Sequence, residues 1–271
     1  MKILYVTHEM EPYANLEDLA ELANLIPKKM QDKQHEVRIF MPRFGKINER
    51  KHRLHEVIRL SGINIQVGED DNPMIIKVAS LPGSRIQVYF LDNDEYFQRK
   101  AFLKDAKGHF FDDNDERMLF FNKGVIEIAM KLGWMPDIIH CHGWMSSLVP
   151  LFARTHYKKE PVFKQTKYVQ TVSNPGFEGA FGEDFLEKGH LRKEFKNDEN
   201  LLVQPRCEDL YKVGLHYTDA IVKGRADLEE ELETFIASTD KPVLEYQPLD
   251  DEAFADHFEA FYQALLPKRK R

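Results

Sequence analysis

The first forty residues alternate an apolar run, a helical pattern and a second apolar run. KILYVT over residues 2–7 predicts a buried strand, and apolar residues then recur at spacings of three and four over 16–30, as on one face of a helix. A second apolar run over 36–41 predicts a strand that Pro42 stops. A strand, a helix and a strand in this order form a βαβ unit, which joins parallel strands.

The rest of the chain continues this alternation after one interruption. The β-like segments 57–66, 74–80 and 86–91 follow one another without helices and are separated by the turn-forming stretches 68–73 and 82–84, which predicts a hairpin-rich insertion. Beyond it, strands are predicted at 137–141, 167–172, 220–223 and around 243–246, and helices at 113–132, 144–156, 208–217, 228–236 and 252–266. The predicted fold class is α/β, with a doubly wound, mostly parallel, Rossmann-like sheet and a closing C-terminal helix.

Composition and charge exclude several classes of protein. The chain has 271 residues, 42% of them hydrophobic, and its 19 Phe, 10 Tyr and 2 Trp exclude a disordered chain. Lys and Arg number 38 against 45 Asp and Glu, so the formal net charge is −7. We expect no nucleic-acid binding, because phosphate contacts need clustered cations. The one basic run, Lys268-Arg269-Lys270-Arg271, is interpreted as a solvated tail.

Cysteine usage and the N-terminus indicate the compartment. Cys141 and Cys207 are too few for a stapling framework and are typical of a reducing environment. MKILYVTHEMEP has no apolar run of signal-peptide length, and no window approaches the roughly 18 apolar residues of a membrane span. We therefore expect a cytoplasmic protein with no membrane partner.

Three stretches together resemble the N-terminal domain of bacterial glycogen synthases and plant starch synthases. KILYVTHEMEPYANLEDLAELANLIPKKM is similar to the family's first strand, its Glu-x-x-Pro turn and its Lys-Thr-Gly-Gly-Leu-Ala-Asp motif, and HEVRIFMPRFGKI to its second strand and Pro-Arg-Tyr-Gly turn. The segment from YFLDNDEYFQRKAFL through DDNDERMLFFNKGVIEIAMKLGWMPDIIHCHGW resembles the family's stretch running to His-x-His-Asp-Trp. A weaker similarity continues through 171–174 to 210–215.

The resemblance implies a GT-B glycosyltransferase, whose two Rossmann domains move glucose from ADP-glucose onto an α-1,4-glucan. It covers residues 1–224, which we predict to be the synthase-like N-terminal domain, with 225–271 a C-terminal helical tail that packs on it. In the family a second Rossmann domain follows and binds most of the sugar nucleotide. The residues after Lys223 are too few for one, so we expect none, and we expect no cofactor apart from ADP-glucose as donor if the chain is active.

The chain departs from the family in the loop that would approach a diphosphate. Asn15-Leu16-Glu17-Asp18 replaces Lys-Thr-Gly-Gly. Adjacent glycines let backbone N–H groups reach a phosphate and the lysine adds positive charge, whereas two carboxylates would repel it. At about 4 Å and an effective dielectric constant of about 20, one like-charge contact costs on the order of 4 kcal/mol before screening. Alternatively, Glu17 and Asp18 stabilise the first turn of a helix.

Further departures lie at two strand ends. In HCHGWM (140–145) the family has Asp and His at the positions of Gly143 and Met145, on the sugar and acceptor side of the cleft. Ser173 stands where the family has a histidine that lies against the transferred glucose. Asn15, Gly143 and Ser173 are therefore degenerate positions, and no residue is predicted to be catalytic.

The remaining candidates are two histidines and three possible sugar-binding residues. His140 and His142 are expected to point to opposite faces of the strand end as packed side chains, and with no Cys or carboxylate at a zinc-like spacing we predict no metal site. Because strand ends line ligand crevices in open α/β sheets, His142 and Trp144 are candidate substrate-binding residues. Tyr96 and Asn174 complete this set, although Asn174 also suits a turn.

These departures favour a protein of the ADP-glucose-dependent glucosyltransferase lineage that is catalytically impaired alone and acts as a glucan-binding or regulatory module, since transfer needs a tightly held donor. The alternative is an active glucosyltransferase completed in trans by a homodimer or by a partner chain that supplies the nucleotide-binding domain. A new hydrolase has no support from Gly-x-Ser-x-Gly, Walker or His-Glu-x-x-His motifs. The expected partners are an α-1,4-glucan, a protein or a second copy of the chain.

Overall fold

The computed structural model describes residues 1–191 and 199–267, and the basic run Lys268–Arg271 lies outside them. The strands are β1 (Lys2–Thr7), β2 (Glu36–Pro42), β3 (His55–Glu56), β4 (Ile63–Val67), β5 (Asp70–Ser80), β6 (Gln87–Asp92), β7 (Ile138–His142), β8 (Lys167–Val172), β9 (Ala220–Lys223) and β10 (Val243–Leu244). The α-helices are α1 (Ala20–Asp32), α2 (Glu49–His52), α3 (Asp94–Phe97), α4 (Asn114–Leu132), α5 (Val149–Arg154), α6 (Phe185–Gly189), α7 (Cys207–Tyr217), α8 (Glu230–Ala237) and α9 (Phe254–Leu265).

A single sheet organises the domain, with strand order β10-β9-β8-β7-β1-β2-β6-β5-β3 and β4 paired beside β5. All neighbours from β10 to β6 are parallel. The chain moves outward from β1 through β2 to β6, and in the other direction from β7 to β10, which confirms the doubly wound, mostly parallel prediction. The order in which strands are added to the sheet therefore reverses between the parallel neighbours β1 and β7, where Thr7 pairs with His142.

The predicted insertion forms the antiparallel edge, where β5 pairs with β6, β4 and β3. The turn between β4 and β5 is tighter than predicted: Gly68 adopts φ +59°, and β5 resumes at Asp70 and continues through Pro73. The strand predicted over 57–66 is broken, because the carbonyl of Val57 accepts hydrogen bonds from Leu60 and Ser61 in the following turn, and the continuous ladder between β4 and β5 begins only at Ile63.

Two predicted helices start later than their hydrophobic pattern suggests. The segment 144–156 begins with a 3-10 turn over Trp144–Ser146 after Gly143, which has φ 75°, and α5 begins at Val149 with Pro150 in its first turn. The helix predicted from residue 16 begins at Ala20, because the carboxylate of Glu9 holds the loop before it.

The tail contributes a strand as well as helices. β10 extends the sheet beyond β9, and α9 packs against α1 with Phe254, Phe258 and Tyr262 buried. Lys33, directly after α1, forms ion pairs with Asp256 (2.5 Å) and Glu259 (2.8 Å) of α9. Both buried apolar side chains and ion pairs of α9 therefore hold the tail against the rest of the domain.

Within the described ranges 1–191 and 199–267, no helix combines the length and the apolar character that crossing a bilayer demands. Cys141 and Cys207 are both buried and both free.

Candidate functional site

Three loops meet at the topological switch point between β1 and β7, where the order in which strands are added to the sheet reverses. They follow β1 (residues 8–19), β7 (from Gly143) and β8 (173–181), and they bring His8, Glu17, Trp144 and Gly176 into contact. In open α/β sheets the crevice at this switch point, outside the carboxyl ends of the strands, is the usual ligand site. We therefore take this junction as the candidate site.

Glu9 anchors the first of these loops. Its carboxylate accepts backbone hydrogen bonds from Leu16 (2.9 Å), Glu17 (2.8 Å) and Leu19 (2.9 Å), and the side chain is fully buried. Backbone N–H groups ahead of a helix are a common binding place for phosphate. In this protein a carboxylate of the chain itself occupies them.

Glu17 lies across the junction. Its Oε1 accepts a hydrogen bond of 2.9 Å from Nε1 of Trp144 and lies 3.5 Å from Nε2 of His8, with the side chain 13% exposed. Burial raises the pKa of Glu17, but the charge and hydrogen bond of His8 and the indole hydrogen bond together lower it. Asp18 pairs instead with Arg225. Neither carboxylate lies in the first turn of α1, so the alternative helix-stabilising prediction was wrong.

His8 is the counter-ion of Glu17. The side chain is fully buried, and its ring centroid lies 5.5 Å from that of Trp144. Burial lowers the pKa of His8, but the charge and hydrogen bond of Glu17, the charge of Glu9 and a hydrogen bond to the His142 backbone together outweigh burial and raise it. His8 was not among the predicted site residues, although its position directly after the first strand was an available signal.

Two glycines make room for this arrangement. Gly143 has φ +75°, and a Cβ there would lie 2.7 Å from Cε1 of His8, so an aspartate at this position would clash with the buried imidazole. A Cβ on Gly176 would lie 2.0 Å from Oε1 of Glu17 and 2.4 Å from Nε1 of Trp144. An aspartate at 143 is therefore incompatible with His8 in its observed position.

His140 and His142 share one face of β7, with ring centroids 4.1 Å apart, so the prediction of opposite faces was wrong. Alternate residues of a strand point to the same side. His140 is hydrogen bonded to Thr171 Oγ1 and to Tyr262 Oη, each at 2.7 Å. Burial, followed by the charge of His8, lowers the pKa of His142 to about 3. Both rings are fully buried, as packed histidines should be.

Trp144 is part of an aromatic cluster. The indole is fully buried and packs against Phe177 (centroids 4.9 Å apart), Phe181 (6.1 Å) and Phe110 (6.2 Å). A sugar would need an open aromatic face, and the indole presents none in this arrangement. The cluster fixes the loop after β8 over the loop after β7.

The other predicted site residues have separate surroundings. Ser173 is buried at the end of β8. The side-chain Oδ1 of Asn174 accepts from Glu229 N (3.0 Å), which joins its loop to the tail as a turn residue would. The Tyr96 hydroxyl donates to Glu116 (3.2 Å), away from the junction, and Asn15 is exposed. The structure thus brings together His142 and Trp144, whereas Tyr96 and Asn174 contact other elements.

Two features of the junction could receive a ligand. Ligand atoms of His8, Glu9 and Glu17 lie within 4.8 Å of one another, and imidazole with carboxylates is a donor set that suits zinc, although here the same three residues form the hydrogen bonds and ion pair described above. A cavity of about 260 Å³ opens beside Glu17 and Gly176 and is bordered by Lys46 and Lys104. Neither feature was predicted, because the spacing of histidines in β7 drew attention away from the ligand atoms in the loop after β1.

The sheet order and this switch-point junction define a Rossmann-like domain of the GT-B glycosyltransferase type. Over 81% of its length, and 44% of the other chain, the protein superposes on the catalytic domain of starch synthase IV from Arabidopsis thaliana, solved with ADP and acarbose. The TM-score is 0.68 and the identity 18%, so this likeness concerns the fold.

Sequence comparison gives the family. The starch synthase catalytic domain family matches residues 2–239. Glycogen synthases of Chlorobaculum parvum and Chlorobaculum tepidum are each 42% identical, over 81% and 71% of this chain and 45% and 40% of theirs. The chain therefore belongs to the glycogen/starch synthase family, and it spans less than half the length of these relatives.

Proposed function

We propose that this chain is a glycogen/starch synthase-type protein whose own donor site is impaired, and that it acts as a glucan-binding or regulatory module. The observation that carries the proposal is the buried carboxylate of Glu17, held by Trp144 and His8 in the loop that replaces the family's adjacent glycines. The names of the relatives support an α-glucan as the substrate class.

The impairment follows from charge. Glu9, whose carboxylate accepts from the loop N–H groups, belongs to the Glu-x-x-Pro turn that the chain shares with the family, whereas Glu17 adds a carboxylate where the family has glycine. A like-charge contact at about 4 Å costs on the order of 4 kcal/mol at an effective dielectric constant of about 20, or about three orders of magnitude in affinity. A partner that completed the enzyme in trans would still meet this loop, so the trans alternative requires Glu17 to move.

The test is calorimetric titration of the chain with ADP-glucose and, separately, with maltoheptaose. A variant with Glu17→Gly and Asp18→Gly restores the two glycines. The matched control carries Asp240→Gly and Asp250→Gly, which removes the same charge from exposed positions in the tail. We expect maltoheptaose but not ADP-glucose to bind the native chain, and ADP-glucose binding to appear in the loop variant alone.

Three outcomes would contradict parts of this proposal. ADP-glucose binding to the native chain at micromolar affinity would show that Glu17 is no obstacle and would favour the transferase completed in trans. A loop variant that gains no binding would remove the role assigned to Glu17. Absence of heat with maltoheptaose would exclude the glucan-binding form and leave only a regulatory module.

A further inference from the structure

A second concave site lies at the opposite end of the parallel strands, where they begin. A cavity of about 890 Å³ is bounded by the end of α5, the segment leading into β8, the residue before β9 and the end of α9. These elements lie at the amino ends of the strands, whereas the junction described above lies at their carboxyl ends. At about 3.3 Å per residue, the five or six residues of β7 and β8 separate the two edges by roughly 17–20 Å.

Positive charge is in surplus around this cavity. Arg154, Lys158, Lys164 and Lys167 line it, and Asp219 is the one carboxylate among its lining residues. Asp219 accepts from Arg154 (2.5 Å) and is paired with Lys167 (3.3 Å), so its single negative charge is shared by two cations. Within residues 1–191 and 199–267, no carboxylate lies within ion-pair distance of the exposed Lys158 or Lys164.

One further cation lies beside the lining residues. The Lys241 ammonium donates to the carbonyls of His216 (3.0 Å) and Thr218 (2.5 Å), and burial and then the charge of Arg154 lower its pKa. The surplus occurs in a protein whose formal net charge is −7.

The floor of the cavity provides an independent indication of a ligand. Tyr168 is 2% exposed, and its hydroxyl has no hydrogen-bond partner in the described part of the chain. The guanidinium of Arg154 lies over its ring, 5.3 Å from the centroid. Buried hydroxyl groups are normally paired. The hydroxyl itself lies below the cavity surface, so an acceptor from a bound molecule would satisfy it only by entering beneath that surface.

We propose that the cavity at the amino-terminal ends of the parallel strands binds a soluble ligand that carries phosphate groups. Guanidinium and ammonium groups match the several oxygens of a phosphate, and the Tyr168 hydroxyl would donate to one of them. Two of the cations, Arg154 and Lys167, converge on Asp219 within 3.3 Å, which favours a compact polyanion over an extended acidic peptide. The site is separate from the junction near Glu17 and does not depend on the state of the donor loop.

The test is calorimetric titration of the full chain with tripolyphosphate at low and at moderate salt. Lys158→Glu with Lys164→Glu reverses two charges of the cavity wall, and Lys159→Glu with Lys107→Glu is the matched control, since both of its positions are exposed and outside the wall. We expect the wall variant to bind about tenfold or more weakly and the control to bind like the native chain. Tyr168→Phe, which removes only the hydroxyl, should weaken binding several-fold, with folding checked by circular dichroism.

The proposal is overturned if tripolyphosphate does not bind, or if the control variant loses as much affinity as the wall variant, which would indicate non-specific attraction. Equal binding of a hexaglutamate peptide would show a site that recognises charge and not phosphate. Co-sedimentation with phosphatidylcholine vesicles that contain phosphatidylinositol phosphate, without tripolyphosphate binding, would assign the phosphate to a lipid headgroup and overturn the soluble ligand.

Discussion

The Glu17 carboxylate accepts a hydrogen bond of 2.9 Å from the indole nitrogen of Trp144, 127 residues further along the chain. This bond joins the loop after β1 to the loop after β7, the two strands between which the sheet changes direction. His8 also pairs with Glu17, so the Glu17 carboxylate, its counter-ion His8 and the indole of Trp144 are in mutual contact. In this chain, the loop that has adjacent glycines in the family is held to the domain by the carboxylate of Glu17.

Replacement of Gly176 by alanine tests this packing. The added methyl group would lie 2.0 Å from Glu17 Oε1 and 2.4 Å from Trp144 Nε1, so Glu17 would have to leave its position. We expect Gly176→Ala to lower the free energy of unfolding by about 1–3 kcal/mol, measured by urea denaturation.

The matched control is the same substitution in a Glu17→Ala background. One of the two clashing groups is then gone, and the cost of Gly176→Ala should fall by about 1 kcal/mol, read as the coupling energy of a double-mutant cycle. Equal costs in the two backgrounds would mean that Glu17 does not occupy the position described.

The His8–Glu17 pair predicts a window of pH in which it stabilises the fold. The raised pKa of His8 gives a contribution that is complete below its unfolded value of 6.5 and is lost as pH rises through the folded value. The lowered pKa of Glu17 gives a contribution that is complete above its unfolded value of 4.5 and is lost as pH falls through the folded value. The pair therefore contributes most to the free energy of unfolding between pH 4.5 and pH 6.5.

The measurement is the free energy of unfolding of the native chain minus that of Glu17→Gln, followed across this window and above it. The difference should be largest inside the window and decline at higher pH as His8 loses its proton. Asp18→Asn, which removes an exposed carboxylate paired with Arg225, is the control and should show no such decline near neutral pH. A difference that grows with pH would contradict the assigned ion pair.

His142 predicts a loss of stability in acid. Burial and the charge of His8 lower its pKa from 6.5 to about 3, so the folded state keeps the ring neutral while the unfolded chain takes up a proton. Stability therefore falls as pH decreases from 6.5 towards 3, by about 2 kcal/mol at about pH 5. His142→Phe retains a ring to stack on Tyr5 and should lessen the acid slope, to which the buried His140 also contributes because burial lowers its pKa. His55→Phe, at an exposed position, should leave the slope unchanged. Identical slopes in all three proteins would refute the assignment.

The alternation of apolar runs and helical stretches was sufficient to predict the sheet. Each long parallel strand was predicted to within about a residue, because strands buried on both faces are apolar throughout. The errors lie where backbone conformation and not hydrophobicity decides, as at Gly143, where a positive φ separates β7 from the 3-10 turn, and at Val57, whose carbonyl closes a turn inside a predicted strand.

The candidate site was less predictable, because its contacts join distant parts of the chain. The resemblance directed attention to Glu17 and Trp144 separately, but nothing local indicates that they are hydrogen bonded. His8 was overlooked, since a single histidine after a strand is unremarkable until Glu17 and Gly143 are placed around it. Similarly, Arg154, Lys158, Lys164 and Lys167 were not identified as a cationic group until the structure placed them around one cavity.

Tyr262 fastens the tail to the centre of the sheet and allows a test of how far the tail belongs to the domain. Its hydroxyl lies 2.7 Å from Nδ1 of His140 and 3.2 Å from the hydroxyl of Tyr5, and all three side chains are buried. Tyr262→Phe leaves both partners short of a hydrogen bond and should cost about 1–3 kcal/mol in the free energy of unfolding. Gln263→Ala, at the neighbouring exposed position of α9, should cost little. If the two variants are equally stable, the tail is an accessory that packs on a finished domain; if Tyr262→Phe lowers the single unfolding transition of the whole chain, α9 is part of the core that holds β1 and β7 together.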